Sequence, residues 1–373
     1  MNQTKRVAFL ARDLRGGGLE RIVINLLTSL SERGIELDLV LASLEGAFVD
    51  QLPRSVRVIP LNVDLDTSTS DSFKLLLPLI QYLQQERPIA FVSHLVFVNS
   101  IAVLAKQLSG IRCQLVLVEH VPLFQSSATD IPQSRLIKSM MQWFYPHADT
   151  VVAVSEAMAM HLRTDLNLKD SIVQVIENPV IDESFYQRSL LPCDHSWFKP
   201  GQPPVFLAAG RFTAQKDFAT LIDAFARVRK TREACLVILG DGQLRAAFMQ
   251  QIRELGIEAD VDLPGFEPNP YPFMRHATAF VLSSRWEALP TVLIEAMGCG
   301  CQVISTDCPF GPKEILAEGK YGRLVPMQDA IALSTAMQES LDHPIPKTEL
   351  EQRAALFSRD RAVSRYLNLL GFA

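Results

Sequence analysis

The chain has 373 residues, a length at which one hydrophobic core usually gives way to two domains. Its net charge of −5 provides no overall basic surface for nucleic acid, so a nucleic-acid-binding protein is not expected. No run approaches the roughly 20 apolar residues of a membrane span, and the N-terminal apolar run is too short for a signal peptide. The cysteines form no C-x-x-C pairs, and this pattern indicates reduced thiols in a cytoplasmic protein.

Short apolar segments alternate with helical patterns through the first half of the chain. A strand at 6–11 is followed by three glycines and then by a helix whose apolar residues recur at offsets of three and four. Helices are also expected at 98–109 and at 72–86, the latter with a kink at Pro78. Further strands are predicted at 37–42, 56–61, 89–94, 113–120, 150–155 and 172–178.

The alternation stops at 186–203, where proline, glycine and polar residues without a period indicate a linker, and it then restarts. Strands are predicted at 204–210, 234–242, 260–265, 278–284 and 301–307, with a helix at 329–342. Continuous apolar strands between helices are typical of parallel sheets covered on both faces. The sequence therefore predicts an α/β protein of two doubly wound domains, 1–185 and 204–356, that face each other across a cleft and bind ligands at the carboxyl ends of their strands.

The segment SSRWEALPTVLIEAMGCG (283–300) contains the strongest chemical signal. Pro290 fits the first turn of a helix after a strand and a short loop, and the free N–H groups of such a helix start bind diphosphates. Glu287 and Glu295 can both face one bound ligand; the alternative is that they are ordinary surface charges. The apolar neighbours of Glu295 are a poor setting for a merely solvated carboxylate.

A second segment, GRFTAQKDFATLIDAF (210–225), also follows a predicted strand. Arg211 and Lys216 flank its turn into a helix, where they could neutralise a diphosphate, Arg211 through its planar fork and Lys216 as a point charge. Solvated loop cations are the alternative interpretation of either residue alone.

These residues resemble glycosyltransferase family 4 (group 1 glycosyltransferases), the retaining transferases of GT-B fold. The resemblance rests on Glu287-x7-Glu295 within E-A-L-P-T-V-L-I-E-A-M-G, on G-R-F-x-x-Q-K-D-F, on I-L-G-D-G and L-P-G-F, and on the N-terminal G-G-L-E-R-I-V-x-N-L. These motifs occur in the family's order along nearly the whole chain. Ala288 stands where the family commonly has glycine, which leaves the donor sugar open.

The resemblance implies roles for individual residues. Glu287 would contact the donor sugar as a catalytic residue, and Glu295 would hold the ribose hydroxyls. The complete expected donor site consists of Arg211, Lys216, Gly265, Phe266, Leu289, Pro290, Thr291, Val292 and Glu295, with Gly265 and Phe266 at the base. Residues 357–373 resemble the C-terminal helix that such proteins pack back on the N-terminal domain.

In the first domain, His120 at the end of strand 113–120 resembles the family's active-site histidine, and we expect it to be catalytic. His94 ends the preceding strand and is expected to line the acceptor side. The loop of Gly16, Gly17 and Gly18 would approach the acceptor or a phosphate. Structural histidines and a simple tight turn are the alternatives.

Two further features of the sequence bear on lipid and metal binding. Arg135, Lys138 and Trp143 lie in a segment, 133–147, that either touches a membrane or is an amphipathic helix packed on its own sheet. The two Asp-x-Asp pairs, at 64–66 and 260–262, lie in contexts unlike a metal-binding D-x-D, so no metal and no other cofactor is expected.

The sequence thus predicts a retaining, metal-independent glycosyltransferase of hexosyltransferase type, acting in the cytoplasm or at the inner face of the cell membrane. Its expected partners are a nucleotide-sugar donor, namely a UDP-sugar, and a glycan or lipid-linked saccharide acceptor, with peripheral membrane contact and without nucleic acid. A nucleotide-sugar epimerase of the same fold and a non-catalytic nucleotide-sugar-binding protein are the alternatives. The intact set of Arg211, Lys216, Glu287 and Glu295 argues against the latter.

Overall fold

A computed structural model describes residues 5–15, 18–46, 48–65, 69–94, 96–120 and 131–372. The chain divides into two units, Met1–Pro179 with Arg359–Ala373, and Val180–Ser358. The strands of the first unit are β1 (Val7–Ala11), β2 (Leu37–Leu41), β3 (Arg57–Pro60), β4 (Ala90–His94), β5 (Gln114–Glu119), β6 (Thr150–Ala153) and β7 (Val173–Val175). Its helices are α1 (Gly18–Glu32), α2 (Leu76–Glu86), α3 (Val96–Ser109), α4 (Ile131–Phe144), α5 (Glu156–Asp165) and the C-terminal α14 (Arg359–Leu370).

The second unit repeats the same alternation of strand and helix. Its strands are β8 (Val205–Ala209), β9 (Cys235–Leu239), β10 (Val261–Gly265), β11 (Ala279–Leu282), β12 (Gln302–Thr306) and β13 (Arg323–Val325). Its helices are α6 (Glu183–Ser189), α7 (Phe218–Arg229), α8 (Arg245–Leu255), α9 (Tyr271–His276), α10 (Thr291–Gly298), α11 (Pro312–Ile315), α12 (Ala330–Asp342) and α13 (Lys347–Ala355).

Each unit contains one parallel sheet with a reversal of strand order. The first sheet has the order β3-β2-β1-β4-β5-β6-β7, and the second has the order β10-β9-β8-β11-β12-β13. The order reverses between β1 and β4 and between β8 and β11, and crevices at such points are where doubly wound sheets bind ligands. The predicted α/β class with two doubly wound domains is confirmed.

The core of the second unit is rich in phenylalanine. Phe212 and Phe218 meet edge to face with ring centroids 5.6 Å apart, and Phe248 lies 5.4 Å from Phe212. All three rings are buried between the sheet and its helices. This packing holds the loop after β8, which begins the candidate site, against rigid secondary structure.

A buried carboxylate lies inside the first sheet, on β2. Asp38 has no exposed surface, and it accepts hydrogen bonds from Arg57 at 2.7 and 2.9 Å, from Tyr82 at 2.7 Å and from Arg6 at 3.0 Å. Burial by itself would raise the pKa of Asp38, but the hydrogen bonds from Arg57 and Tyr82 and the two guanidinium charges outweigh it, so the pKa lies below its ordinary value.

The C-terminal helix α14 belongs to the first unit. Arg33 forms an ion pair with Asp360 at 2.7 Å, and Gln114 donates to the carbonyl of Leu369 at 2.9 Å. No helix within the described ranges is both long and apolar enough to cross a membrane. All six cysteines are free thiols, four of them buried.

Three details differ from the sequence prediction. The segment expected as a linker, 186–203, lies in the second unit and includes the end of α6, and the units meet at 179 and 180. Pro78 lies in the first turn of α2, after a short 3-10 helix, where a proline needs no kink because that turn's N–H groups have no intrahelical acceptor. The three-residue strand β13 was not predicted.

Candidate functional site

Two loops of the second unit follow the strands at its switch point. One joins β8 to α7 and carries Arg211 and Lys216; the other joins β11 to α10 and carries Glu287. Because β8 and β11 are adjacent parallel strands, their carboxyl ends lie at the same edge of the sheet. The strand order therefore brings two motifs that are about seventy residues apart in the sequence to one place.

The two loops meet in a short ion pair. Lys216 Nζ lies 2.6 Å from Glu287 Oε1, and the Ser284 hydroxyl donates to the same oxygen at 2.6 Å. The side chains retain only 18% and 9% exposure respectively. Ser284 is itself buried, and its carbonyl accepts from the hydroxyl of Thr306 at 2.6 Å. The Glu287 carboxylate is thus held in one orientation, with a positive and a neutral donor on one oxygen.

A second set of contacts joins the same two loops. Arg285 donates to Asp217 at 3.1 Å, and Gln215 donates to the carbonyl of Trp286 at 2.9 Å. The amide of Arg285 also donates to the carbonyl of Gln215 at 2.8 Å. Asp217 adopts a left-handed backbone conformation at the start of α7 and is buried. These contacts set the spacing between Lys216 and the Glu287 loop.

Glycines let neighbouring loops approach the site closely. A β-carbon at Gly240 would lie 2.0 Å from the carbonyl oxygen of Gly210, and one at Gly311 would lie 2.5 Å from Pro290 Cδ. Both glycines have positive φ angles, 134° and 83°. Any side chain at either position would push the β8 loop or the start of α10 out of place.

Helix α10 begins one residue later than predicted. Pro290 is the N-cap residue, with an extended backbone, and Thr291 is the first helical residue. The amide of Leu293 already donates to the Pro290 carbonyl at 3.0 Å, so helix geometry leaves the N–H groups of Thr291 and Val292 without intrahelical partners. Leu289 is buried behind this helix start. The N-terminus of α10 therefore offers two backbone donors beside the ion pair.

Glu295 lies in α10 among buried apolar neighbours and is itself partly exposed. The Tyr271 hydroxyl lies 3.5 Å from Glu295 Oε1, and the Arg188 guanidinium stacks over the Tyr271 ring at 4.8 Å. Neither Tyr271 nor Arg188 was identified from the sequence. Tyr271 is the first residue of α9 and lies outside the quoted motifs, and its contact with Glu295 depends on how α9 packs on α10.

The two residues expected to contact the nucleotide base, Gly265 and Phe266, lie at the end of β10. Gly265 has a φ of 104°, and its carbonyl accepts from the amide of Gly240 at 2.7 Å. Phe266 follows with 68% of its surface exposed. An exposed aromatic ring at the carboxyl end of a strand offers a stacking face for a planar base.

In the first unit, two predicted histidines lie in contact. His94 ends β4 and His120 directly follows β5, the neighbouring strand. His94 Nδ1 lies 2.9 Å from His120 Nε2, and the rings stack with centroids 5.2 Å apart. Burial lowers the pKa of His94 to about 3; burial and the neighbouring His94 lower the pKa of His120 well below its ordinary value. Both rings are therefore neutral hydrogen-bonding groups at neutral pH.

Glu119, the residue before His120 in β5, belongs to a buried chain of polar side chains. Tyr145 donates to Glu119 at 2.6 Å, and the Asn99 amide donates to Tyr145 at 3.1 Å and to the carbonyl of Val118 at 3.2 Å. Burial, followed by the Glu119 carboxylate, raises the pKa of Tyr145 well above its ordinary value. Asn99, in α3, thus holds this helix against β5.

Comparison with known proteins decides the family. A model of the group 1 glycosyl transferases matches residues 194–357, and a model of Glycosyltransferase Family 4 matches residues 16–184. Together the two matches account for nearly the whole chain. The chain belongs to the group 1 glycosyltransferases.

Several relatives resemble this glycosyltransferase in sequence. It is 25% identical over 363 residues to the N-acetylgalactosamine-N,N'-diacetylbacillosaminyl-diphospho-undecaprenol 4-alpha-N-acetylgalactosaminyltransferase of Campylobacter jejuni, covering 95% of this chain and 96% of that protein. It is 34% identical over 208 residues to an uncharacterized glycosyltransferase of Methanocaldococcus jannaschii. The latter alignment spans 51% of each protein.

Solved structures share the fold along its whole length. HepE of Anabaena in complex with UDP-glucose superposes with a TM-score of 0.80 at 19% identity, over 99% of this chain and 100% of that chain. The lipopolysaccharide outer core galactosyltransferase WaaB in its apo form gives a TM-score of 0.75 at 21% identity, over 98% and 99%. The glycosyltransferase therefore has the GT-B fold that its sequence motifs implied.

The sequence identified part of this glycosyltransferase's candidate site. The structure brings Lys216 and Glu287 together, and the exposed Arg211 lies on the same loop as Lys216. His94 has no exposed surface, so it reaches no ligand directly and contacts His120 instead. Ser284 and Asp217 were missed, although both lie within the quoted motifs.

Some expected residues are outside the described part or have other contacts. Gly16 and Gly17 lie outside the described residues, whereas Gly18 begins α1. The side chain of Arg135 is likewise not among the side chains that the structure describes. Asp260 pairs with Arg229 at 2.8 Å, and Asp262 contacts His195 at 2.9 Å.

Proposed function

We propose that this glycosyltransferase moves a sugar from a UDP-sugar to a lipid-linked saccharide, with retention of configuration and without a divalent metal. The observation that carries the proposal is the convergence of Lys216, Glu287 and the first turn of α10 at the switch point of the second sheet. This arrangement provides a binding place for a diphosphate next to an oriented carboxylate.

The diphosphate would be bound by fixed positive groups. Lys216, Arg211 and the N–H groups of Thr291 and Val292 supply two charges and two backbone donors. Negative charge grows on the diphosphate as the sugar leaves, and groups already in position stabilise it without reorganisation. These groups would take the place that a metal ion fills in other transferases.

The sugar and nucleoside would extend to either side of the diphosphate. Glu287, held by Lys216 and Ser284, would position the sugar ring and oppose the positive charge that develops on it. Glu295 would bind the ribose hydroxyls, and Phe266 would stack on the base. His120 of the first unit would donate a hydrogen bond to a hydroxyl of the transferred sugar. The UDP-glucose bound by HepE of Anabaena supports UDP as the nucleotide.

The first experiment is a thermal-shift screen of UDP-, GDP- and ADP-sugars, because a ligand that binds only the folded state raises its apparent stability. We expect a UDP-sugar to give the largest shift. Transfer is then followed by NMR in excess EDTA, and an α-linked product from an α-linked donor is expected. An inverted product, or activity that EDTA abolishes and Mg²⁺ restores, would contradict the mechanism. Interconversion of the free UDP-sugar without transfer would favour the epimerase alternative.

A lipid-linked acceptor is supported by the Campylobacter relative, whose name specifies a diphospho-undecaprenol acceptor. It is supported also by α4, where Met141 and the following Tyr145 are buried while Trp143 keeps 78% of its surface exposed. Exposed tryptophan is favoured at membrane interfaces, and Lys138 on the same helix would suit anionic headgroups.

Flotation with vesicles that contain phosphatidylglycerol tests this contact. We expect the wild-type protein to float with the vesicles and the variants Trp143→Ser and Lys138→Glu to float less. Met249→Ser, which changes an exposed apolar residue of the second unit, is the matched control. Equal flotation of all four proteins would exclude α4 as the contact surface.

A further inference from the structure

The contact between His94 and His120 restricts where their protons lie. Two neutral imidazoles that share one hydrogen bond use one N–H and one lone pair between them. His94 Nε2 is buried and has no hydrogen-bond partner among the described residues. If His94 carried its proton there, a buried N–H would be left without an acceptor, and such orphaned donors are rarer in proteins than unused acceptors. The favoured arrangement therefore has the His94 proton on Nδ1, directed at His120 Nε2.

Among the residues that the structure describes, no charged group hydrogen-bonds to either ring. Glu119 precedes His120, but successive residues at a strand end point to opposite faces, and its carboxylate accepts from Tyr145. Among the described residues no carboxylate hydrogen-bonds to either histidine ring. On its other side His94 stacks on Phe9, with ring centroids 6.1 Å apart. Within the described ranges, the hydrogen bond to the His120 ring comes from His94.

We infer that His94 is a positioning residue for His120. It donates from Nδ1 to His120 Nε2, which confines the His120 proton to Nδ1 and presents that N–H to the substrate. The inference rests on the proposed function, in which His120 donates to a hydroxyl of the transferred sugar. It also replaces the expectation that His94 contacts the acceptor.

Two substitutions separate the hydrogen bond from the packing of His94. In His94→Asn the side-chain amide can take the place of the Nδ1–H group, whereas His94→Leu fills similar space without a donor. Phe9→Leu, which alters packing on the same ring and leaves both histidines intact, is the control. The readouts are the kcat and KM of UDP release from the UDP-sugar that the enzyme turns over, and the ¹⁵N chemical shifts of the His120 ring.

We expect His94→Leu to lower kcat about tenfold, the value of one neutral hydrogen bond, with the KM for the donor changed less than twofold. His94→Asn should keep most of the activity. The wild-type spectrum should show His120 protonated on Nδ1, His94→Asn and Phe9→Leu should preserve that signature, and His94→Leu should show a mixture of tautomers.

The possible failures are distinguishable. Wild-type kcat in His94→Leu, together with a large loss in His120→Ala, would overturn the positioning role and leave the proposed function intact. Unchanged kcat in His120→Ala would instead contradict the proposed role of His120. A wild-type spectrum with His120 protonated on Nε2 would overturn the proton placement, and this measurement holds even if His94→Leu fails to fold.

Discussion

Variants of the Lys216–Glu287 ion pair can separate its effect on binding of the UDP-sugar from its effect on the stability of the second unit. Lys216→Met would leave a carboxylate with 9% exposure whose remaining side-chain donor, within the described ranges, is the Ser284 hydroxyl. Removing one partner of a buried pair costs roughly 3–5 kcal/mol, and since Ser284 still donates we expect about 3 kcal/mol. In a unit the size of Val180–Ser358 each kcal/mol lowers the melting temperature by about 2–4 °C, so a decrease of about 6–12 °C is expected.

The double variant Lys216→Met/Glu287→Gln tests the cause of that decrease. A neutral amide no longer needs a cation, and it still accepts from Ser284, so the double variant should recover more than half of the lost melting temperature. Neither variant should show the upward thermal shift that a UDP-sugar gives the wild type, because both lack the Lys216 charge. Lys230→Met, which removes an exposed lysine after α7, should match the wild type in both measurements.

Differential scanning calorimetry with and without UDP-sugar provides the measurements. A double variant that melts no higher than Lys216→Met would refute the idea that an unpaired carboxylate causes the loss. A full UDP-sugar shift in Lys216→Met would show that this lysine does not bind the diphosphate.

Three further predictions concern stability and donor binding. Because the pKa of Asp38 is lowered in the folded protein, its ionised carboxylate stabilises the first unit at pH values above the ordinary carboxyl pKa of about 4, and this contribution is lost as the pH falls through the lowered pKa. The variant Asp38→Asn should therefore have a lower melting temperature than the wild type at pH 7. Between pH 5 and pH 2 its melting temperature should decrease less than that of the wild type. Gly240→Ala should lower the melting temperature of the second unit and weaken UDP binding, because the new β-carbon would collide with the backbone of Gly210. Gly256 also has a positive φ but has open space around it, so the control Gly256→Ala should lower the free energy of unfolding by only about 1–2 kcal/mol and leave UDP binding unchanged. Glu295→Gln should raise the donor KM about tenfold with little change in kcat in steady-state kinetics, since ribose contacts change little during transfer; a loss confined to kcat would contradict this role.

Local pattern was sufficient to predict most of the secondary structure of this glycosyltransferase. Strands buried on both faces appear as continuous apolar runs, and the predicted 37–42 and 204–210 correspond to β2 and β8 within one residue at each end. The pattern failed where an element is short. β13 has three residues, only one of them buried, and α6 has seven, too few for a helical period to be distinct from the loop around it.

The sequence by itself determined the fold class, the family and the residue types of the candidate site, because strand periodicity and loop motifs are local properties of the chain. Only the tertiary structure decided which of those residues meet. Lys216 meets Glu287 because β11 lies beside β8, and His94 meets His120 because β5 lies beside β4. Strand order depends on how helices far apart in the chain pack on both faces of each sheet, and no local pattern encodes that packing.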